Sequence, residues 1–177
     1  MCAGETETWF EEPGGNLRLF HLCQIGFIEI PMSEIKYETN KAVTLEEFHQ
    51  LLTTSTLGER RPIDDKECLQ GMLDNSNLIV SAWDGSKLVG IARSVTDFYY
   101  ACYLSNLAVD QNYQRQGIGI RLQQITQEQL QPKCTLILIS APAGNSYYPS
   151  IGYESCQRCW ILPPEKQCGA PPDSEQC

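Results

Sequence analysis

Residues 104–121 read LSNLAVDQNYQRQGIGIR, and their reading decides the fold. Residues 103–109 carry the apolar pattern of a buried strand. A short polar turn follows, and Gln114-Arg115-Gln116-Gly117-Ile118-Gly119 opens a helix. The first amides of a helix have no internal partners, and the helix dipole favours an anion there. Gly117 and Gly119 remove side chains that would hold a pyrophosphate off the backbone. Arg115 and Arg121 add positive charge nearby. The bland alternative is a helix start with two permissive glycines.

Two common nucleotide motifs do not fit. A dinucleotide fingerprint needs a third glycine where Leu122 stands, and a phosphate loop of the Gly-Lys-Ser/Thr type needs a lysine that does not follow these glycines. What remains is Gln-x-x-Gly-x-Gly behind a Leu-Ala-Val strand.

The chain has 177 residues, enough for one domain with a substantial core. A net charge of −9 argues against nucleic acid, which needs a basic surface. It weakly favours a cationic partner such as an amine. The acidic start, and an apolar run broken by Arg18, His21, Gln24 and Glu29, carry no secretory pattern. No apolar run reaches the roughly 18 residues of a membrane span. The expected setting is cytoplasmic, with the nine cysteines reduced. Cys102 and Cys134 read as small core residues. Cys156 and Cys159 have metal-like spacing, but no second pair follows, so no metal site is expected.

Residues 1–31 do not read like the rest and are expected to be an extension, either disordered or adding an edge strand. The domain proper is expected over 32–163, and a flexible tail over 164–177. Residues 35–39 alternate as a strand. Thr44-Leu-Glu-Glu47 is a capping box, with Leu45, Phe48 and Leu52 on the helix face behind it. A polar connector, 53–61, leads to a second capping pattern at Asp64-Asp-Lys-Glu67 and a face of Cys68, Leu69, Met72 and Leu73. Strands at 78–83, 87–95 and 100–109 form a meander joined by Asp84-Gly85 and a reversal at 97–99. Ile118, Leu122 and Ile125 mark the next helix, ended by Pro132. TLILI at 135–139 reads as a central strand covered on both faces and parallel to the strand before the helix. A loop and short helix over 141–152 and a last strand over 153–162 complete the order β-α-α-β-β-β-α-β-α-β.

Gln114-x-x-Gly117-x-Gly119 behind Leu107-Ala108-Val109 resembles the acetyl-CoA signature of the GNAT superfamily of N-acetyltransferases, Arg/Gln-x-x-Gly-x-Gly/Ala. Tyr148-Pro-Ser-Ile-Gly152-Tyr153 resembles its second diagnostic stretch, Tyr-x-x-x-Gly-Phe, with Tyr153 in place of the Phe. The two motifs cover residues 78–162, and the element order resembles the same fold. That fold is of the α/β (α+β) class, with a mixed, mostly antiparallel central sheet flanked by helices. The resemblance implies direct transfer of the acetyl group of acetyl-CoA to a primary amine. The acceptor would be a small amine, such as an arylalkylamine or polyamine, or a protein or peptide amine. The stretch AWDGSKLVGIAR is similar to arylalkylamine-type acetyltransferases of plants and cyanobacteria, a hint about the acceptor. Dimerisation is common in this fold, which leaves a homodimer open.

In that family the pantetheine arm lies along the strand like an added strand. The resemblance therefore assigns cofactor binding to Leu107, Ala108, Val109, Gln114, Arg115, Gln116, Gly117, Ile118, Gly119, Ile120, Arg121 and Asn145. Three chemical needs remain. The amine must lose a proton before it attacks. The developing oxyanion needs a donor, for which an amide near Leu107 or Ala108 is the candidate. The leaving thiolate needs a proton, for which the Tyr148 phenol is the candidate. Family members often carry an acid on the strand before the glycine turn, where this chain has Ser105 and Asn106. Both can hold a water without acting as bases, and Glu59 is a more remote option. Phe98, Tyr99, Tyr100, Tyr147 and Trp160 suggest an aromatic acceptor pocket built partly from the Arg93–Tyr100 turn, with edge packing as the plain alternative. An acetyl-CoA-binding module with little or no turnover is the competing reading.

Overall fold

The computed structural model describes residues 8–11, 17–20, 34–166 and 168–169. The chain divides into two compact units, Met1–Ser33 and Glu34–Cys177. In the first, β1 (Thr8–Glu11) and β2 (Leu17–Phe20) pair antiparallel as a two-stranded sheet of their own.

The second unit is built on five strands in chain order: β3 (Lys36–Thr39), β4 (Leu78–Asp84), β5 (Lys87–Thr96), β6 (Ala101–Val109) and β7 (Thr135–Ile137). All neighbours are antiparallel except β6 and β7. Helices α1 (Leu45–Thr54) and α2 (Lys66–Asp74) lie between β3 and β4, α3 (Ile118–Glu128) between β6 and β7, and α4 (Tyr147–Ser150) after β7. Thr44 caps α1 with both halves of the box formed: the Glu47 amide donates to Thr44 Oγ1, and the Thr44 amide donates to Glu47 Oε2 at 2.8 Å. The cap of α2 is Asp65, one residue later than expected, and it accepts from the Cys68 amide at 2.9 Å. Gly85 turns the β4–β5 hairpin at φ +57. Asp97 Oδ1 accepts from the amides of Tyr99, Tyr100 and Ala101 and so closes the β5–β6 reversal.

The sheet carries a core on each face. Val80, Ala82, Val89, Ala92, Cys102 and Leu104 pack under Ile118, Leu122 and Ile125 of α3. Trp83, Leu88, Ile91 and Ala108 pack under Phe48, Leu51, Leu52, Leu69 and Leu73 of α1 and α2. Gly90 lets α3 approach closely: a Cβ there would sit 3.1 Å from both Ile118 Cγ2 and Leu122 Cδ1.

Two expectations are corrected. TLILI is an edge strand rather than a central one, and only Thr135–Ile137 is in the sheet. Leu136 and Leu138 pack on the α3 core, while Ile137 and Ile139 are 46% and 52% exposed. An unbroken apolar run does not by itself reveal that one face is open. The last strand expected over 153–162 is not formed. Glu154-Ser-Cys-Gln-Arg158 offers no apolar face, and a turn falls at Gln157–Arg158.

One ionic cluster holds the chain where β6 leaves the sheet. Lys87 Nζ lies 2.9 Å from Asp110 Oδ2 and 4.9 Å from the Tyr113 ring centre, and the Tyr113 hydroxyl donates to Asp84 Oδ2 at 2.7 Å. Burial works to raise the Asp110 carboxyl, but hydrogen bonds from Lys87 and the Asn112 amide hold it below the ordinary range. A depressed carboxyl contributes stability above its unfolded pKa of about 3.9 and loses it as pH falls through the folded value. Asp110→Asn is therefore expected to cost about 1–3 kcal/mol at pH 7, with the gap to wild type closing as the pH falls below about 4, as read from urea midpoints. Leu122→Ala is expected to cost about 2–5 kcal/mol, and Ile137→Ala under about 1 kcal/mol. An equal loss for Ile137→Ala would mean that the outer face of β7 is covered.

Candidate active site

Strand β6 is paired unequally on its two sides. Towards β5 it is paired from Cys102 to Val109. Towards β7 it pairs only at Ala101–Thr135, Cys102–Leu136 and Tyr103–Ile137. Beyond Tyr103 that side has no strand partner among the described residues. The Asp110 amide donates to Val89 O at 2.9 Å. Antiparallel alternation then turns the amides of Asn106 and Ala108 towards β5, and those of Leu107 and Val109 towards the open side. Val109 O accepts from Gln114 Nε2 at 3.1 Å, so the glutamine ties the turn back to this edge.

The edge runs directly into the glycine turn. Arg115 and Gly117 both have left-handed backbone, at φ +62 and +82. Gly117 is the N-cap of α3 and supplies no side-chain cap. The Arg121 amide bonds back to Gly117 O at 3.0 Å, so the amides of Ile118, Gly119 and Ile120 have no intrahelical acceptor. A Cβ on Gly119 would lie 3.7 Å from Tyr147 Oη and 3.8 Å from Val109 Cγ2.

The side chains of the expected cofactor set divide. Leu107 and Val109 are half-buried, and Ala108 is buried in the opposite core. Ile118 is buried in the core, so only its amide faces the turn. Gln116 bonds Asn112 O, while Arg115 and Ile120 are exposed. Arg121 Nη1 lies 2.9 Å from Glu128 Oε1, seven residues along α3 and away from its first turn. Asn145 is exposed and accepts from the Ser140 hydroxyl.

Tyr148 stands at the centre of a tyrosine cluster. Its ring meets Tyr147 edge-on at 5.2 Å and Tyr153 at 5.4 Å. Burial, and then Tyr147, push its phenol up. Burial, and then Tyr148 and Tyr147, push Tyr153 up to about 12. Among the described residues the Tyr148 hydroxyl takes no hydrogen bond. The Tyr153 hydroxyl donates to Gln123 Oε1 at 2.9 Å, and Gln123 Nε2 donates to Gly119 O at 2.9 Å and to Tyr147 Oη at 3.3 Å. Gln123 thus couples the tyrosines to the first turn of α3. Sequence reasoning passed over it; the only signal was a glutamine on an apolar helix face.

A second feature escaped the sequence reading. Arg93, 5% exposed, donates from Nε to Asn106 Oδ1 at 2.6 Å and from Nη2 to Ser105 Oγ at 2.8 Å. Its Nη1 donates to Met72 O and Ser76 Oγ. Burial and the nearby Arg61 pull its guanidinium down to about 10. Ser105 Oγ and Asn106 Oδ1 thus each accept one bond from Arg93, which fixes the orientation of both side chains.

The aromatic acceptor pocket is not assembled. The Phe98 and Tyr100 carbonyls accept from the Gln131 and Thr135 amides, which places this turn beside the start of β7. Leu107 lies six residues along β6 from Ala101, roughly 20 Å away. Tyr99, Tyr100 and Trp160 are 70%, 78% and 92% exposed. Glu59 is exposed on a short 3-10 turn, Gly58–Arg60. His49 is half-buried on α1, and His21 lies outside the described residues. Among the described residues, no group of three or more His, Cys, Asp or Glu side chains is placed to hold a metal ion. No described helix is long and apolar enough to cross a membrane.

Residues 38–159 match the family model described as the acetyltransferase (GNAT) domain. The uncharacterized N-acetyltransferase ycf52 of Pyropia yezoensis is 28% identical over 131 residues, covering 71% of this chain and 73% of that protein. A GNAT-family acetyltransferase from Streptococcus pneumoniae TIGR4 superposes with a TM-score of 0.57 at 25% identity, over 73% of this chain and 98% of its own. An aminoglycoside acetyltransferase from an uncultured soil metagenomic sample, solved in complex with sisomicin, gives 0.51 at 25% identity over 73% and 97%. The strand that opens at its far end, the glycine turn behind it and a family match over more than half the chain agree: this protein belongs to the GNAT acetyltransferase family.

Proposed function

We propose that the chain transfers the acetyl group of acetyl-CoA to a primary amine. The observation that carries this reading is the unpaired edge of β6 running into the uncapped first turn of α3. An extended amide-bearing arm can add to such an edge as a strand. A pyrophosphate at its far end then meets helix amides and the dipole. Acetyl-CoA has both parts in that order and supplies the activated thioester.

The chain's own groups divide the work. The Leu107 and Val109 backbones bind the arm, and the Leu107 amide is the oxyanion donor, since alternation spends the Ala108 amide on β5. The amides of Ile118, Gly119 and Ile120 hold the pyrophosphate. Gly119 keeps that approach open beneath the Tyr147 hydroxyl. Tyr148 gives a proton to the leaving thiolate; its raised pKa keeps it a donor across the neutral range. Gln123 and Tyr153 fix the tyrosines against α3. We take residues 32–163 as the transferase domain, with the segments before and after it outside the chemistry.

A second reading has a specific observation behind it. β6 carries no carboxylate or imidazole to serve as a base, and Ser105 Oγ and Asn106 Oδ1 both accept from Arg93. A module that binds acetyl-CoA with little turnover would share the same geometry.

Thiol release from acetyl-CoA across a panel of amines separates the two. Tyr148→Phe keeps the ring contacts and removes the donor. It is expected to lower kcat roughly 100-fold with KM little changed. An unchanged kcat discards Tyr148 as the acid. Acetyl-CoA binding without release on any amine favours the module.

A further inference from the structure

The acetyl-transfer reading leaves unused a cluster of hydrogen-bond donors around Ser105. Arg93 is buried, and its four hydrogen bonds all end on neutral oxygens. Arg61, half-buried in the connector between α1 and α2, donates from Nη2 to Ser105 O at 2.8 Å and from Nη1 to Arg60 O at 2.9 Å, which leaves its Nε and one hydrogen on each Nη unspent. Two guanidiniums thus grip one residue, one at its hydroxyl and one at its carbonyl. Among the described residues neither is in an ion pair; the salt bridges found are Lys87–Asp110 and Arg121–Glu128. Asn106 is 1% exposed, spends Oδ1 on Arg93 and leaves its Nδ2 without a partner.

Buried positive charge without an acid is costly, and so is a buried amide donor left unspent. A chain that keeps both together has a use for an anion there. Guanidinium forks match the planar, two-oxygen geometry of a carboxylate. We infer that Arg61, the half-buried member, with Arg93 and the Asn106 amide as buried donors behind it, recognises the carboxylate of the acceptor, so that the amine acetylated belongs to a small amino acid. The inference rests on acetyl transfer at Leu107 for the placement of the amine. Ser105 and Leu107 are two residues apart, roughly 7 Å along a strand. That span fits an amine and a carboxylate on one small molecule with a single guanidinium contact between. The two guanidiniums put positive charge beside Ser105 in a chain whose net charge is −9. That positive charge disfavours polyamines and other polycations at this site.

The test compares α-amino acids with their own α-amides, and with spermidine, by kcat/KM in the thiol-release assay. Acids are expected to exceed their amides by tenfold or more, with spermidine weaker still. In Arg61→Gln the acid-to-amide ratio is expected to fall close to one. Arg61→Lys, which keeps the charge and loses the fork, is expected to fall between. Thermal midpoints of both variants establish that they fold, and should Arg61→Gln not fold, the drop in ratio for Arg61→Lys decides. A parallel measurement does not need turnover: calorimetric binding of N-acetyl amino acids and their amides in the presence of CoA. Wild type is expected to favour the acids tenfold or more, and Arg61→Gln to lose that preference. Amides or spermidine binding and reacting as well as the acids would overturn the inference, as would an acid preference that survives in Arg61→Gln. Arg61-dependent binding of the acids with no thiol release on any amine would sink the transferase reading and keep the carboxylate site.

Discussion

A strand bonded along its length on one side and barely on the other is the constraint on which this structure turns. β6 is fixed by β5 from Cys102 to Val109, whereas β7 leaves after three pairs. Backbone amides and carbonyls need partners, and an open edge invites an extended segment. The same chain then passes through a left-handed glycine into a helix whose first amides are also unspent. Two unmet needs in succession, one for an extended amide arm and one for an anion, specify a ligand better than either does alone. The Lys87–Asp110–Tyr113 cluster stands where these two parts join.

A single extra residue in β6 arranges the second half of the site. Ser94 pairs with Leu104 and Arg93 with Asn106, so Ser105 is a bulge. Before it, Cys102 and Leu104 face the α3 core; after it, Ala108 faces α1 and α2. The phase change turns Asn106 to the face where Arg93 reaches it, and leaves the Ser105 carbonyl for Arg61. Bulges commonly re-aim side chains beside functional sites. Here it gathers the donors of Arg93 and Arg61 around Ser105.

What could be read from the sequence was local. Thr44 and Glu47 are three residues apart, Asp84-Gly85 is a two-residue signal, and Ile118, Leu122 and Ile125 repeat with the helical period; each holds in the structure. The glycine motif placed the uncapped turn correctly because its cause, a left-handed backbone, is itself local. What escaped depended on distance along the chain. Arg61 meets Ser105 across 44 residues, and Arg93 meets Asn106 across 13. TLILI carried no mark of which face stays open. The run 153–162 was expected as a last strand, and its polar middle, Glu154-Ser-Cys-Gln-Arg158, gives a sheet no apolar face to bury. The pairing of Arg121 with Glu128, seven residues along the same helix, was likewise not visible in the glycine motif.

The most direct test of the account is residue-resolved amide exchange by NMR, with and without acetyl-CoA. The account predicts that acetyl-CoA slows exchange at Leu107 and Val109 and shifts the resonances of Ile118, Gly119 and Ile120. Asn106 and Ala108, already bonded to β5, should change little. Protection that falls on Ala108 instead, or acetyl-CoA binding that leaves Leu107 and Val109 unchanged, would contradict the claim that the open edge of β6 is the cofactor's seat.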